Sequence, residues 1–257
     1  MLRLILLVLR PVLVWFLRPV WAWLVAHQEG VLRSLVVALA FLFPWHLYLI
    51  ANAPVELQMG IVQKIFYFHV PSAYAMYVGF TLAMIGSVGY LWRRTPGADA
   101  LAVGGAEVGL LFCVIVLITG PLWARNAWGT YWTWDPRLTT TLLAAMIYAS
   151  FVALRSIGAA GEAEKRFASA LGVVGFFLLP VIHYSVQAWR GQHPTVIMGN
   201  GGGLHPGMVP PLLFGFLVFT ILAIVLVWTR ARAEMVKHRL AVLAETAASE
   251  GLTEDAA

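Results

Sequence analysis

The sequence predicts an all-α, polytopic membrane protein: a six-transmembrane-helix bundle with an outward-facing, Trp-rich interfacial segment. Three observations lead there. Of the 257 residues, 61% are hydrophobic and 11% are charged, where soluble domains carry about a quarter charged residues, and mean hydropathy is +0.82. Apolar stretches of roughly 20 residues recur, each long enough to cross a hydrocarbon layer of about 30 Å as a helix. Basic residues gather at alternate connections, as the topology of a multi-pass protein requires. The net charge of +5 is therefore a topology signal, and the basic residues form no cluster of the kind that binds nucleic acid.

Taken in order, residues 1–30 precede the first span. Arg10, Pro11, Arg18 and Pro19 interrupt their apolar character and no A-x-A site follows, so they differ from a signal peptide. Arg3, Arg10 and Arg18 would share one side of a helix, which suggests an amphipathic segment lying on the cytoplasmic surface; a seventh span is the alternative. The membrane domain, residues 31–230, holds candidate helices at 31–50, 68–92, 104–124, 138–157, 167–189 and 209–229. No span is an obvious copy of another. Residues 231–257 read as a short basic helical stretch and a solvated tail. Connections 93–103 and 158–166, with Arg155 and the two ends of the chain, contain all of the 17 Lys and Arg except Lys64, Arg125, Arg137 and Arg190. Both termini are thus expected in the cytoplasm, with 51–67, 125–137 and 190–208 outside.

The single Cys113 lies within a span, which excludes an intramolecular disulfide, a CxxC pair and a CxxCH haem-attachment site. Asp99 and Glu107 mark the start of the third span and carry no chemistry in this reading. No Ser/His/Asp set, Gly-rich phosphate loop or zinc-type Cys/His spacing is present.

Chemistry concentrates on the outward connections. Trp123, Trp128, Tyr131, Trp132 and Trp134 fall within twelve residues, around Gly129 and before an Asp135-Pro136 turn. Such a run is either an aromatic belt at the membrane interface or a shelf on which a flat macrocycle stacks, with Arg125 or Arg137 pairing its carboxylates. His69 and His183 sit at the outward ends of the second and fifth spans, which run in opposite directions, so both imidazoles are expected at similar depth. Intramembrane ionisable residues point to function, and two imidazoles suit haem iron as an axial pair; interfacial histidines bonded to backbone are the other reading. His46, beside Pro44 and Trp45, fits a second rank of residues around the site or a kinked helix end. His193 and His205 lie with Arg190 in a glycine-rich connection, where they are transient ligands or solvated side chains. His27 and His238 face the cytoplasm.

The stretch from Trp128 to Thr139 resembles the tryptophan-rich WWD signature of haem-handling proteins. Phe68-His69-Val70-Pro71-Ser72-Ala73 and Ile182-His183-Tyr184-Ser185-Val186 resemble the flanking histidine motifs of cytochrome c maturation protein C (CcmC). The similarity covers residues 30–230. Longer WWD relatives, cytochrome c maturation protein F and the haem-handling cytochrome c synthases, have more spans and extra histidines. The resemblance implies non-covalently held b-type haem on His69 and His183. It implies an external haem platform made by the Trp segment with Asp135, and carboxylate partners among Arg125, Arg137 and Arg190. It further implies transfer to the haem chaperone CcmE, beside the ABC transporter subunits CcmA and CcmB and the small membrane protein CcmD, at the periplasmic face of a bacterial inner membrane. Tyr131 stands where Trp is common and Pro136 where a small residue is common, and the N-terminus is extended. On this reading the chain is a presenting protein without a hydrolytic site of its own. A haem exporter would need a polar or small-residue path, and the spans offer little beyond Thr119, Ser87 and glycines. A b-type electron-transfer cytochrome would place stacked His pairs at two depths.

Overall fold

The computed structural model describes residues 19, 22, 23, 26–156, 161–194 and 203–251. The expected amphipathic or spanning segment before residue 19, the glycine run at 199–202 and the final residues of the tail lie outside that set. Among the described residues every regular element is helical, and the only extended pairing is an isolated bridge between Glu56 and Gly60. The α-helices are α1 (Gln28–Asn52), α2 (Phe66–Arg93), α3 (Pro96–Trp128), α4 (Pro136–Ser156), α5 (Glu162–Phe176), α6 (Leu178–Trp189) and α7 (Val209–Ser249). Short 3-10 turns, Ile61–Ile65 and Pro206–Met208, lead into α2 and α7. Among the described residues six segments are long and apolar enough to cross a membrane, α5 and α6 together forming the fifth. The protein is a multi-pass membrane protein.

By chain contacts there are two compact units, Met1–Pro44 and Trp45–Ala257. In the first, the described part of α1 presents Val36, Val37 and Phe41 on its surface, as a lipid-facing helix does. The second contains the last turns of α1, with His46 and Ile50 buried, and all of α2 to α7.

Helices α2 and α3 form a tight antiparallel hairpin. Arg94 ends α2 in the left-handed conformation, and Thr95 caps α3 by accepting from the Ala98 amide at 3.4 Å, with Pro96 in the first turn. Their interface is the most extensive in the molecule because small residues line it. A Cβ on Gly79 would stand 2.6 Å from the Gly109 Cα, and Gly86 and Gly105 meet opposing backbone just as closely. Lipid supplies no hydrophobic drive between helices, so close backbone approach and dispersion must hold them.

At one end of the bundle the helices outrun the apolar windows. α3 begins eight residues before 104 and α7 continues twenty residues beyond 229, so the stretch after 230 is a rigid continuation of the last span. Ion pairs explain both extensions. Arg155 of α4, 5% exposed at its side chain, contacts Asp99 of α3 at 2.7 Å and Glu234 of α7 at 3.5 Å. Arg230 holds Glu107 at 2.5 Å and Glu234 at 2.9 Å. Asp99 and Glu107 thus tie three helices together. The fifth span, expected as one helix over 167–189, is broken at Phe177, between α5 and α6. Pro180 lies just beyond the break; it lacks the N–H that would close this turn and its ring crowds the preceding carbonyls.

Candidate functional site

At the end of the second unit away from those ion pairs, α2, α3, α4, α6, α7 and the connections 129–135 and 190–194 enclose a cavity of about 500 Å³, within the range usual for small-molecule sites. Its wall is mainly apolar and includes His69, Trp123, Trp128, Trp132, Arg137, His183 and His193.

His69 stands on the first turns of α2 and is buried. Its Nδ1 lies 2.9 Å from Thr119 Oγ1, and that hydroxyl donates to the Ile115 carbonyl at 2.7 Å. With its proton committed to Ile115, the hydroxyl accepts from Nδ1–H, which leaves the lone pair on Nε2. Gly120 makes room for the ring: a Cβ there would sit 3.3 Å from His69 Cε1.

His193 comes from the segment following α6. Its ring centroid is 6.4 Å from that of His69, at 36° between planes, and 6.4 Å from Trp128, edge to face. Its Nδ1 is buried with no hydrogen-bond partner. Burial first, then the neighbouring Arg137 and His69, pushes this imidazole down to about 3, with Asp135 opposing, so at neutral pH it is uncharged.

Asp135, 5% exposed, holds that segment in place. One carboxylate oxygen accepts from the Arg137 amide at 2.9 Å at the start of α4, and the other accepts from the Gln192 amide at 2.7 Å. Gly191 is required there, because a Cβ would lie 2.5 Å from Asp135 Oδ2. Arg137 donates from Nε to the Ile182 carbonyl at 3.3 Å and from Nη2 to the His183 carbonyl at 3.0 Å, docking α4 on α6. The His183 ring packs edge-on against Tyr184 at 4.8 Å.

The structure therefore brings six sequence-predicted residues to one cavity: His69, His183, Trp123, Trp128, Trp132 and Arg137. Five others lie off its wall. Trp134 and Tyr131 are 76% and 57% exposed; Arg125 donates to the Gly129 carbonyl and covers the Tyr131 ring at 5.7 Å. Arg190, also exposed, ends α6 with φ 52°, and Asp135 acts from behind. Trp123 and Trp128 belong to α3 itself, so the surface element expected across this stretch shortens to residues 129–135. His205 caps the 3-10 turn Pro206–Met208 by accepting from the Gly207 amide at 3.1 Å. Nothing in the sequence marks Thr119 and Gly120 as part of the site; their tertiary contact with His69 does.

A model of the family described as Heme exporter protein C, CcmC, matches residues 15–246. The chain belongs to this family. Among CcmC relatives, the Heme exporter protein C of Bradyrhizobium diazoefficiens is 37% identical over 218 residues, 84% of this chain and 82% of that one. The Escherichia coli K12 protein of the same name is 30% identical over 214 residues, 77% and 86% of the two chains. A mitochondrial protein of Arabidopsis thaliana, named ccmC-like and linked by that name to cytochrome c biosynthesis, is 30% identical over 207 residues, 80% and 78% of the two chains. CcmC membership thus spans the whole cavity wall.

Proposed function

We propose that this chain holds haem as cargo in the cavity beneath Trp128 and Trp132, at the periplasmic face of a bacterial inner membrane. There it presents haem to the chaperone CcmE during c-type cytochrome maturation, alongside CcmA, CcmB and CcmD. One observation carries the reading: the His69 and His193 rings lie with centroids 6.4 Å apart in one cavity wall. Metal–nitrogen bonds of about 2 Å on either side of one iron, with the ring radii added, require roughly 6 Å between imidazole centroids.

The residues suit the cargo in other respects. His69 has a free Nε2 lone pair and His193 an unpartnered Nδ1, the wall is aromatic, and Arg137 keeps Nη1 for a carboxylate beyond the two carbonyls it serves. The imidazoles hold the iron, the Trp side chains exclude water and stack, and Asp135 fixes the segment bearing His193. The names of the relatives point to haem and cytochrome c biogenesis. The cavity also lies at the end poor in Lys and Arg, which supports an outward orientation. His183, on the same wall, is the second reading for the partner of His69.

Haem titration of the detergent-purified chain tests both. Low-spin bis-imidazole absorption is expected, lost in His69→Ala and in His193→Ala and kept in His183→Ala. Loss in His183→Ala with retention in His193→Ala would transfer the role to His183. Unchanged low-spin spectra in all three would put haem on other ligands and remove this cavity as its site. Co-purification of haem-loaded CcmE is expected to fall in Trp128→Ala.

A further inference from the structure

The first turns of α2 contain a defect that the haem reading leaves unused. Pro71 has no N–H, so the carbonyl of Tyr67, four residues earlier, lacks its helical donor. His46, on the last turns of α1, stands in for it: Nε2 lies 3.4 Å from the Tyr67 carbonyl oxygen. The ring is 0% exposed and is surrounded by Phe68, Phe214 and Phe219 at 6.0, 6.2 and 6.2 Å between centroids. A carbonyl only accepts, so Nε2 carries the proton, and Nδ1 is buried without a partner. Gly215 of α7 completes the joint, because a Cβ there would stand 2.9 Å from both His46 Cε1 and Pro71 Cγ. Three helices therefore meet at the turn bounded by Tyr67 and Pro71, and His69 is the residue at its centre.

We propose that His46 is a positioning residue for the cavity. By donating to the Tyr67 carbonyl that Pro71 leaves free, it closes the turn bearing His69 and fixes the direction of that imidazole. A helix running into the cavity with Pro71 unsupported would let its first turn rotate, and the Thr119 bond alone would have to hold the ring. The proposal rests on the haem reading for one of its two readouts only.

The test uses the full chain in detergent, labelled with histidine ring ¹⁵N, as wild type, His46→Leu and His46→Gln, each with and without Pro71→Ala. The readouts are the His69 ring-nitrogen signal without haem, assigned by its loss in His69→Ala, and the affinity and low-spin spectrum with added haem. His46→Leu is expected to shift the His69 signal and to weaken haem binding on the order of tenfold, as loss of an outer-rank contact does. His46→Gln, which keeps an N–H donor, restores both. In the Pro71→Ala background Ala supplies the missing N–H, so His46→Leu becomes nearly silent. An unmoved His69 signal, or an equal effect of His46→Leu with and without Pro71→Ala, would overturn the proposal and leave His46 as packing alone. If wild type takes up no haem, the haem reading fails and the ring signal alone judges the positioning. Should His46→Leu fail to fold, Gly215→Ala, which forces His46 and Pro71 apart, must shift the same signal or the proposal falls.

Discussion

Thr119 decides which nitrogen of His69 faces the cavity, and it does so through a hydroxyl already committed to Ile115. Thr119→Val keeps the shape and removes the acceptor, so haem affinity measured by titration is expected to fall about 10- to 100-fold, with Thr119→Ser close to wild type. His193 makes a second prediction, on pH. Its folded value of about 3 lies below the ordinary 6.5, so the undocked segment binds a proton more readily than the docked one. Docking is therefore most stable above about pH 6.5 and weakens as pH falls from there toward 3. Hydrogen-exchange protection of the amides of residues 190–193, corrected for intrinsic rate, should decline over that range and stay flat in His193→Phe. His69 and the tryptophans were legible in the sequence because their residue types are rare in such a setting. The closeness of His193 to His69 was not, since it depends on a carboxylate bond from Asp135 to an amide 57 positions away.

At the scale of elements, six spans could be read from apolar runs, but their ends could not. α3 and α7 continue past those runs because a cap and paired charges satisfy polar groups that hydropathy counts as breaks. The sole sequence mark of the interruption at Phe177 is Pro180. The charge cluster gives a third prediction: Arg155→Met leaves Asp99 without its 2.7 Å partner and is expected to cost about 3–5 kcal/mol, seen as a lowered unfolding midpoint in detergent. Arg155→Met combined with Asp99→Asn should recover part of the loss. Gly79→Leu meets backbone that cannot retreat, and the expected result is a chain that fails to accumulate in the membrane.

For the molecule as a whole, composition sufficed to give the all-α membrane class, because only helices satisfy their own backbone in lipid over runs of this length. Orientation is a separate claim with its own measurement. A periplasmic reporter joined after Arg94 should be inactive and one inserted within residues 129–135 active; the reverse pattern would invert the protein. The glycine seam between α2 and α3 bears on how cargo leaves. Two helices whose backbones touch at Gly79, Gly86 and Gly105 resist sliding in small steps, and His69, Thr119 and Gly120, carried on that pair, form one plate. The opposite wall is built differently: α6 begins after a break at Phe177, and Asp135 ties the segment bearing His193 to the start of α4 through the Gln192 amide. Under the proposed function, a cross-link within the plate is expected to leave handover to CcmE intact, and a staple between residues 135 and 192 to stop it.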